Sequence, residues 1–88
     1  MFYAYILRCC DGSLYCGYTN NLHHRLQAHN SGTGSKYTRS RLPVELMYYE
    51  TFPTKNEAMS REWHLKQLSH SQKLSLFEST RKETSNNN

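Results

Sequence analysis

An Asp-Gly pair set between two alternating aromatic runs constrains this chain more than any other feature. The segment YAYILRCCDGSLYCGYT, from Tyr3 to Thr19, places Asp11-Gly12 between residues 2–9 and 13–19. Both flanks alternate and are rich in Tyr, Ile and Leu, so the segment predicts a β-hairpin. Loop length decides which face each tyrosine takes, because side chains alternate across a strand. A two-residue loop at Asp11-Gly12 pairs Cys10 with Ser13 and Arg8 with Tyr15, and sends Tyr5 and Tyr15 to opposite faces. A three-residue loop, Cys10-Asp11-Gly12, has Gly12 in the left-handed position of a bulge. It pairs Cys9 with Ser13, Leu7 with Tyr15 and Tyr5 with Gly17, so both phenols share one face. A glycine ending the loop suits this second register. Gly17 opposite Tyr5 either leaves room above the sheet for a bound group or only relieves crowding.

The rest of the chain supplies few elements. Thr19, Asn20 or Asn21 can cap a helix LHHRLQAH, in which Leu22 and Leu26 form the apolar stripe. NSGTGSKYTRSRLP reads as a loop, punctuated by Gly32, Gly34 and Pro43. Its glycines form no phosphate-cradling P-loop, since Gly-Lys-Ser/Thr is absent. VELMYYETF, Val44 to Phe52, reads as a third strand. Thr54 and Glu57 make a capping box that opens a helix from about Lys55 to Leu68, and Ser69 and Gln72 repeat the pattern for a short helix through Phe77. The order strand, strand, helix, strand, helix, helix predicts an α+β domain over residues 1–78, a three-stranded antiparallel sheet flanked by helices. Residues 79–88, STRKETSNNN, lack apolar side chains and are expected to be a disordered tail.

At 88 residues, with 36% hydrophobic and 12% aromatic content, aromatic burial must supply much of the core. Cys9, Cys10 and Cys16 are odd in number, and the adjacent pair points to opposite faces of a strand. They read as small hydrophobes of a reducing, cytoplasmic protein. No secretory leader is evident, no run approaches the ~20 apolar residues of a membrane span, and no Cys/His spacing suits zinc. The net charge is +4, and no acidic residue falls between Asp11 and Glu45, while Arg25, Lys36, Arg39 and Arg41 do. A one-signed stretch of this kind suits a phosphate backbone, although for charge alone a solvated basic loop is the plainer account. Lys36, Arg39 and Arg41 are its phosphate contacts in the first reading. Tyr37 either stacks on a base or packs in the core.

Three helical residues carry chemistry. Arg25 and His29 lie four apart, beside the Leu22/Leu26 stripe, and emerge where that helix meets the sheet. Arg offers a fork to phosphate oxygens and His exchanges a proton near neutral pH; a helix-end histidine favoured by the dipole is the plainer account. His23 and His24, near the helix start, read as solvated. On the second long helix, Ala58, Met59, Trp63, Leu65 and Leu68 trace an apolar arc that encloses Glu62. An unpaired carboxylate there is costly, so Arg25, the tyrosine hydroxyls or a divalent cation must compensate it. Glu57 is explained by its capping box, Glu50 by a solvent-facing strand position, and Lys66 by snorkelling beside Glu62.

Tyr5, then Tyr15-Cys16-Gly17 ten residues on, then Arg25, His29 and a glutamate on a later helix resemble the GIY-YIG nuclease superfamily, and within it the small stand-alone bacterial members. The likeness runs from Phe2 to about Phe77 through YILRCCDGSLYCGYT, LHHRLQAHNSGTGSKYTRSRLPVELMYYE and EAMSREWHLKQLS. It departs at Tyr3-Ala4-Tyr5 in place of Gly-Ile-Tyr and at Cys16 in place of Ile. The resemblance implies metal-dependent cleavage of a nucleic-acid phosphodiester on a three-stranded antiparallel sheet. By that resemblance Glu62 is the ligand of a single Mg²⁺ or Mn²⁺ and Arg25 braces the scissile phosphate. Tyr5 and Tyr15 are the two motif tyrosines, and His29 is the histidine found in many members.

Those residue types fit the chemistry. Charge develops on phosphoryl and leaving oxygens, so positioning and electrostatics dominate, and one carboxylate plus waters can hold an octahedral Mg²⁺. A phenol of ordinary pKa, about 10, needs help to act as a base; failing that, His29 accepts the proton and Tyr15 orients the water. The expectation is an endonuclease acting on DNA, with RNA as a further possible substrate. It should be structure-directed with little sequence specificity, since the chain has no room for a separate DNA-binding domain, and should need no small-molecule cofactor. A non-catalytic nucleic-acid-binding module predicts salt-sensitive binding without cleavage; a protein-interaction domain predicts neither, and the acid-free stretch weighs against it.

Overall fold

In a computed structural model, backbone is described for residues 1–86 and side chains for residues 1–78. The elements are β1 (Phe2–Cys9), β2 (Leu14–Thr19), α1 (Leu22–Asn30), α2 (Lys36–Arg39), β3 (Val44–Phe52), α3 (Lys55–Gln67) and α4 (His70–Asn86). The sheet is antiparallel in the order β2-β1-β3, an α+β architecture as the sequence predicts.

The hairpin takes the three-residue loop. Tyr5 pairs with Gly17 and Leu7 with Tyr15. The Cys9 N–H donates to the Ser13 carbonyl at 2.8 Å, and Gly12 sits at φ +84°. A positive φ is where glycine costs nothing sterically. Asp11 tightens the turn by accepting from the Ser13 N–H and hydroxyl at 3.0 and 2.6 Å.

As the central strand, β1 is buried on both faces. Tyr5, Leu7 and Cys9 pack with Val44 under α1, where Leu22 and Leu26 close the layer. Ala4 and Ile6 pack with Cys16 and Leu65 under α3 and α4, joined by Leu14, Met47, Tyr48, Phe52, Leu68 and Leu76. Ile6, Leu7 and Leu65 are at most 1% exposed, and each such burial stabilises by roughly 1.5–3 kcal/mol. The β1–β3 register slips between Ile6 and Leu7, which pair with Tyr48 and Leu46. Met47 is the extra residue, so Met47 and Tyr48 both reach the α3/α4 side, as a bulge allows.

The helices are capped largely as expected. Asn21 caps α1 by accepting from the His24 N–H, and Thr54 caps α3 by accepting from the Glu57 N–H. Ser69 and Gln72 make a reciprocal box: the Ser69 N–H donates to Gln72 Oε1 at 2.8 Å and the Gln72 N–H to Ser69 Oγ at 3.2 Å. Asn30 adds a fixture, its amide exchanging hydrogen bonds of 3.0 and 2.7 Å with the Val44 backbone. That clamp ties the end of α1 to the start of β3.

Several expectations need correction. The segment read as all loop holds α2, because Ser35 caps it by accepting from the Thr38 N–H at 3.1 Å. The backbone of α4 runs past Phe77 to Asn86, with no Gly or Pro to stop it. The expected 79–88 tail concerns side chains outside those described, and residues 87 and 88 lie outside altogether. On α3 the seam is Ala58, Arg61, Glu62, Leu65 and Leu68; Met59 and Trp63 are exposed, because the helix buries a narrower stripe than the wheel suggested. Glu50 is no solvent-facing residue: it accepts from the Tyr48 hydroxyl at 2.6 Å and from Arg61 Nε at 2.9 Å, tying β3 to α3. Cys9 and Cys16 are buried as small hydrophobes, whereas Cys10, in the turn, is exposed; all three are free thiols. Among the described residues no helix is long and apolar enough to cross a membrane.

Candidate active site

The two faces of the sheet meet in one cavity at the β2 edge. Tyr5, Tyr15 and Gly17 of the hairpin line it, with Arg25 from α1 on one side and Lys55 and Glu62 from α3 on the other. Its volume is about 440 Å³. The hairpin register puts the two phenols on one face, and the edge position of β2 lets α3 bring a carboxylate round to them.

Gly17 leaves space, but Tyr5 takes it. A Cβ at position 17 would lie 2.6 Å from Tyr5 Cζ and closer still to its oxygen. Of the two readings of this glycine, relief of crowding is the one the packing supports, and the opening for a ligand lies beside the ring.

Tyr5 is 1% exposed and His29 is fully buried beneath it. Tyr5 Oη lies 3.2 Å from His29 Nε2, and His29 Nδ1 lies 2.8 Å from Thr38 Oγ1. His29 is therefore no solvated helix-end cation. Burial lowers its pKa below the usual value, and the neighbouring Arg25 charge adds to the effect. Burial raises the Tyr5 pKa; hydrogen bonding and charge from Arg25 oppose this, while Tyr15 and Glu62 add to it. At neutral pH the phenol thus keeps its proton and the imidazole is free to accept one.

Arg25 is half-buried, with Nη2 donating to the Gly34 carbonyl at 3.1 Å. Gly34 also closes on the imidazole, since a Cβ there would meet the His29 ring and lie 2.7 Å from its Cα. The ion pair considered between Arg25 and Glu62 is not the one formed. Glu62 instead faces Lys66 one turn on, at a loose 3.8 Å, with the glutamate 20% and the lysine 52% exposed. That contact leaves the carboxylate oxygens able to take a hard cation. Among the described residues no group of three His, Cys, Asp or Glu side chains gathers as a ligand cage. The donor set is one carboxylate beside a polar cavity, which fits Mg²⁺ or Mn²⁺ retaining most of its waters.

The basic loop divides in two. Lys36 and Arg39 on α2 are exposed. Arg41 is engaged: Nε meets Asp11 Oδ2 at 3.1 Å, Nη1 donates to the Tyr37 carbonyl at 2.8 Å, and the guanidinium lies 4.0 Å from the Tyr37 ring centre. Tyr37 stacks on Tyr15 with centres 6.0 Å apart, and Tyr15 meets the His29 ring edge-on at 5.2 Å. Arg41 and Tyr37 thus buttress Tyr15, while Tyr37 itself stays 39% exposed. His23 and His24 are exposed, as expected.

Sequence reasoning missed Lys55, Gly34 and Thr38. The Ser35-x-x-Thr38 spacing, a helix start within the loop, was the available signal for the last. Lys55 and Gly34 join the site only through tertiary packing.

Comparison with known proteins finds relatives that match most of the chain. A UPF0213 protein of Clostridium perfringens is 57% identical over 90% of this chain and 85% of its own length. The solution structure of a UPF0213 protein from Bacillus halodurans superposes with a TM-score of 0.56 at 47% identity, covering 89% of this chain and 84% of that one. A solved protein from E. faecalis gives 0.59 at 43% identity, covering 90% and 84%. The model of the GIY-YIG catalytic domain matches residues 1–75, and the chain belongs to the GIY-YIG family, a nuclease superfamily.

Proposed function

We propose that this protein is a divalent-metal-dependent endonuclease that hydrolyses phosphodiester bonds of DNA, directed by structure more than by sequence. One observation carries the reading: Tyr5, Tyr15, Arg25 and Glu62, drawn from both faces of the sheet, line a single polar cavity, with His29 hydrogen-bonded beneath Tyr5. The three free cysteines suit a reducing compartment, the cytoplasm.

Arg25 and Lys55 bind the non-bridging oxygens of the scissile phosphate and offset the charge that grows on them. Glu62 would hold the metal, which would supply charge stabilisation to the phosphate and leaving oxygen. Tyr5 organises the attacking water. As the water oxygen bonds to phosphorus, its proton passes to Tyr5 Oη while the Tyr5 proton passes to His29 Nε2. The bond from phosphorus to the leaving oxygen breaks, and that oxygen takes a proton from solvent. Tyr5 stays neutral throughout, so its raised pKa is no obstacle. Tyr15, held by Tyr37, fixes the water's orientation. Lys36 and Arg39 meet the flanking backbone.

Purified protein incubated with labelled duplex, branched and single-stranded DNA in Mg²⁺ or Mn²⁺ should cleave at least one of them, and Glu62→Ala should fold normally and not cleave. Cleavage by Glu62→Ala equal to the parent's rejects the assignment. Salt-sensitive binding with no cleavage under either metal marks a binding module instead.

A further inference from the structure

Behind the cavity lies a buried polar chain that the proposed chemistry uses only at its first link. It runs from Tyr5 Oη to His29 Nε2 at 3.2 Å, from His29 Nδ1 to Thr38 Oγ1 at 2.8 Å, and from Thr38 Oγ1 to Ser35 Oγ at 3.0 Å. Tyr5, His29 and Thr38 are each at most 1% exposed, so no water competes for these contacts. A buried chain of this kind has to be satisfied throughout, and its proton directions are fixed by whichever member has no choice.

The Ser35 carbonyl is that member. A carbonyl oxygen only accepts, and the Thr38 hydroxyl donates to it at 3.4 Å, while Ser35 Oγ, 3.0 Å from Thr38 Oγ1, accepts from the Thr38 N–H as the cap of α2. With its proton turned to Ser35, Thr38 Oγ1 is left to accept, and His29 Nδ1 is the donor within reach at 2.8 Å. A neutral imidazole protonated on Nδ1 presents a lone pair at Nε2. The Tyr5 hydroxyl, 3.2 Å away, donates to it.

We propose that Thr38 is a positioning residue: its hydroxyl holds His29 in the Nδ1–H tautomer, so that Nε2 faces Tyr5 as a proton acceptor. Thr38 touches no substrate. It acts through His29, and α2 brings it there. Because Ser35 caps α2 and also receives the Thr38 proton, the helix that carries Lys36 and Arg39 and the orientation of the imidazole are held by one set of hydrogen bonds. The catalytic consequence rests on the endonuclease reading above; the tautomer does not.

The two are separated by measuring each. Long-range ¹H–¹⁵N spectra of protein labelled at histidine read the tautomer directly, with no substrate or metal. The parent protein should show His29 Nδ1 protonated and Nε2 unprotonated near neutral pH; the reverse overturns the proposal. Thr38→Val keeps the shape and removes the acceptor, and should move His29 towards the Nε2–H form; Thr38→Ser restores a hydroxyl and should restore the parent pattern. A folded Thr38→Val with unchanged ¹⁵N shifts overturns it. If Thr38→Val does not fold, the parent spectrum and Thr38→Ser still decide. In the cleavage assay kcat should fall roughly 10–100-fold in Thr38→Val with KM nearly unchanged, the order of loss found when the partner orienting a ligating histidine is removed. Thr38→Ser should recover most of it. An Nδ1–H tautomer in a protein that cleaves no DNA upholds the positioning role and removes the endonuclease reading.

Discussion

Tyr5 and Gly17 face each other across the first hairpin, and the phenol fills the volume a side chain at position 17 would need. The pairing sets how deep the tyrosine lies, and so its reach to His29. Gly17→Ala should push the ring off Nε2. The overpacking should cost about 1–3 kcal/mol of stability and most of the cleavage. Urea unfolding and a nicking assay check both; an alanine variant with parental stability and activity means the ring has other room to occupy.

His29 makes stability depend on pH. Burial and the Arg25 charge hold its pKa below 6.5, so the unfolded chain binds a proton here before the folded one does. Stability is therefore complete above about pH 6.5 and falls as pH drops from there to the lowered value. Thermal unfolding from about pH 8 to about pH 5 should show the decline, and His29→Gln should flatten it. The Asp11 carboxyl, held below 3.8 chiefly by the Ser13 hydrogen bonds, acts only in more acid solution. Equal slopes in parent and variant would remove His29 as the source.

The basic residues should separate into two kinds. Lys36→Ala and Arg39→Ala remove exposed charges on α2 and should weaken DNA binding at every sequence, each lowering the salt-dependence slope by about 1. Arg41→Ala should act mainly through Tyr37 and Tyr15, lowering kcat more than affinity, because its guanidinium is already committed to Asp11 and Tyr37. Fluorescence anisotropy across a salt series, with single-turnover cleavage, distinguishes them. A full unit of salt slope lost in Arg41→Ala would make it a phosphate contact after all.

Arg61 tests whether the α3 anchor is separate from catalysis. Its bond to Glu50 and the Tyr48–Glu50 bond join β3 to α3 away from the cavity. Arg61→Ala should cost about 1 kcal/mol, the usual scale for a partly exposed charged hydrogen bond, and leave cleavage per folded molecule intact. A fall in kcat in fully folded Arg61→Ala would show that the anchor also positions Glu62.

The hairpin, its bulged register, the caps Asn21, Thr54 and Ser69, and the strand Val44–Phe52 were legible from the amino acids, because each depends on local rules. A glycine tolerates a positive φ, alternation assigns faces, and a hydroxyl or amide satisfies a free N–H. The same locality put Tyr5 and Tyr15 on one face and Arg25 and His29 on one turn. What the chain could not state was partnership across elements. Which cation faces Glu62, whether Tyr37 is free or stacked, and whether Glu50 meets solvent all depend on where α2 and α3 come to rest. Trp63 and Met59 show the limit plainly: their spacing fits a buried stripe, and the width of the contact between α3 and the sheet leaves them outside. Thr38 is the sharpest case, a loop threonine in the sequence that burial under α1 places against His29. Local chemistry sets the elements, and only their packing, by removing water from some polar groups and not others, decides which side chains must satisfy one another.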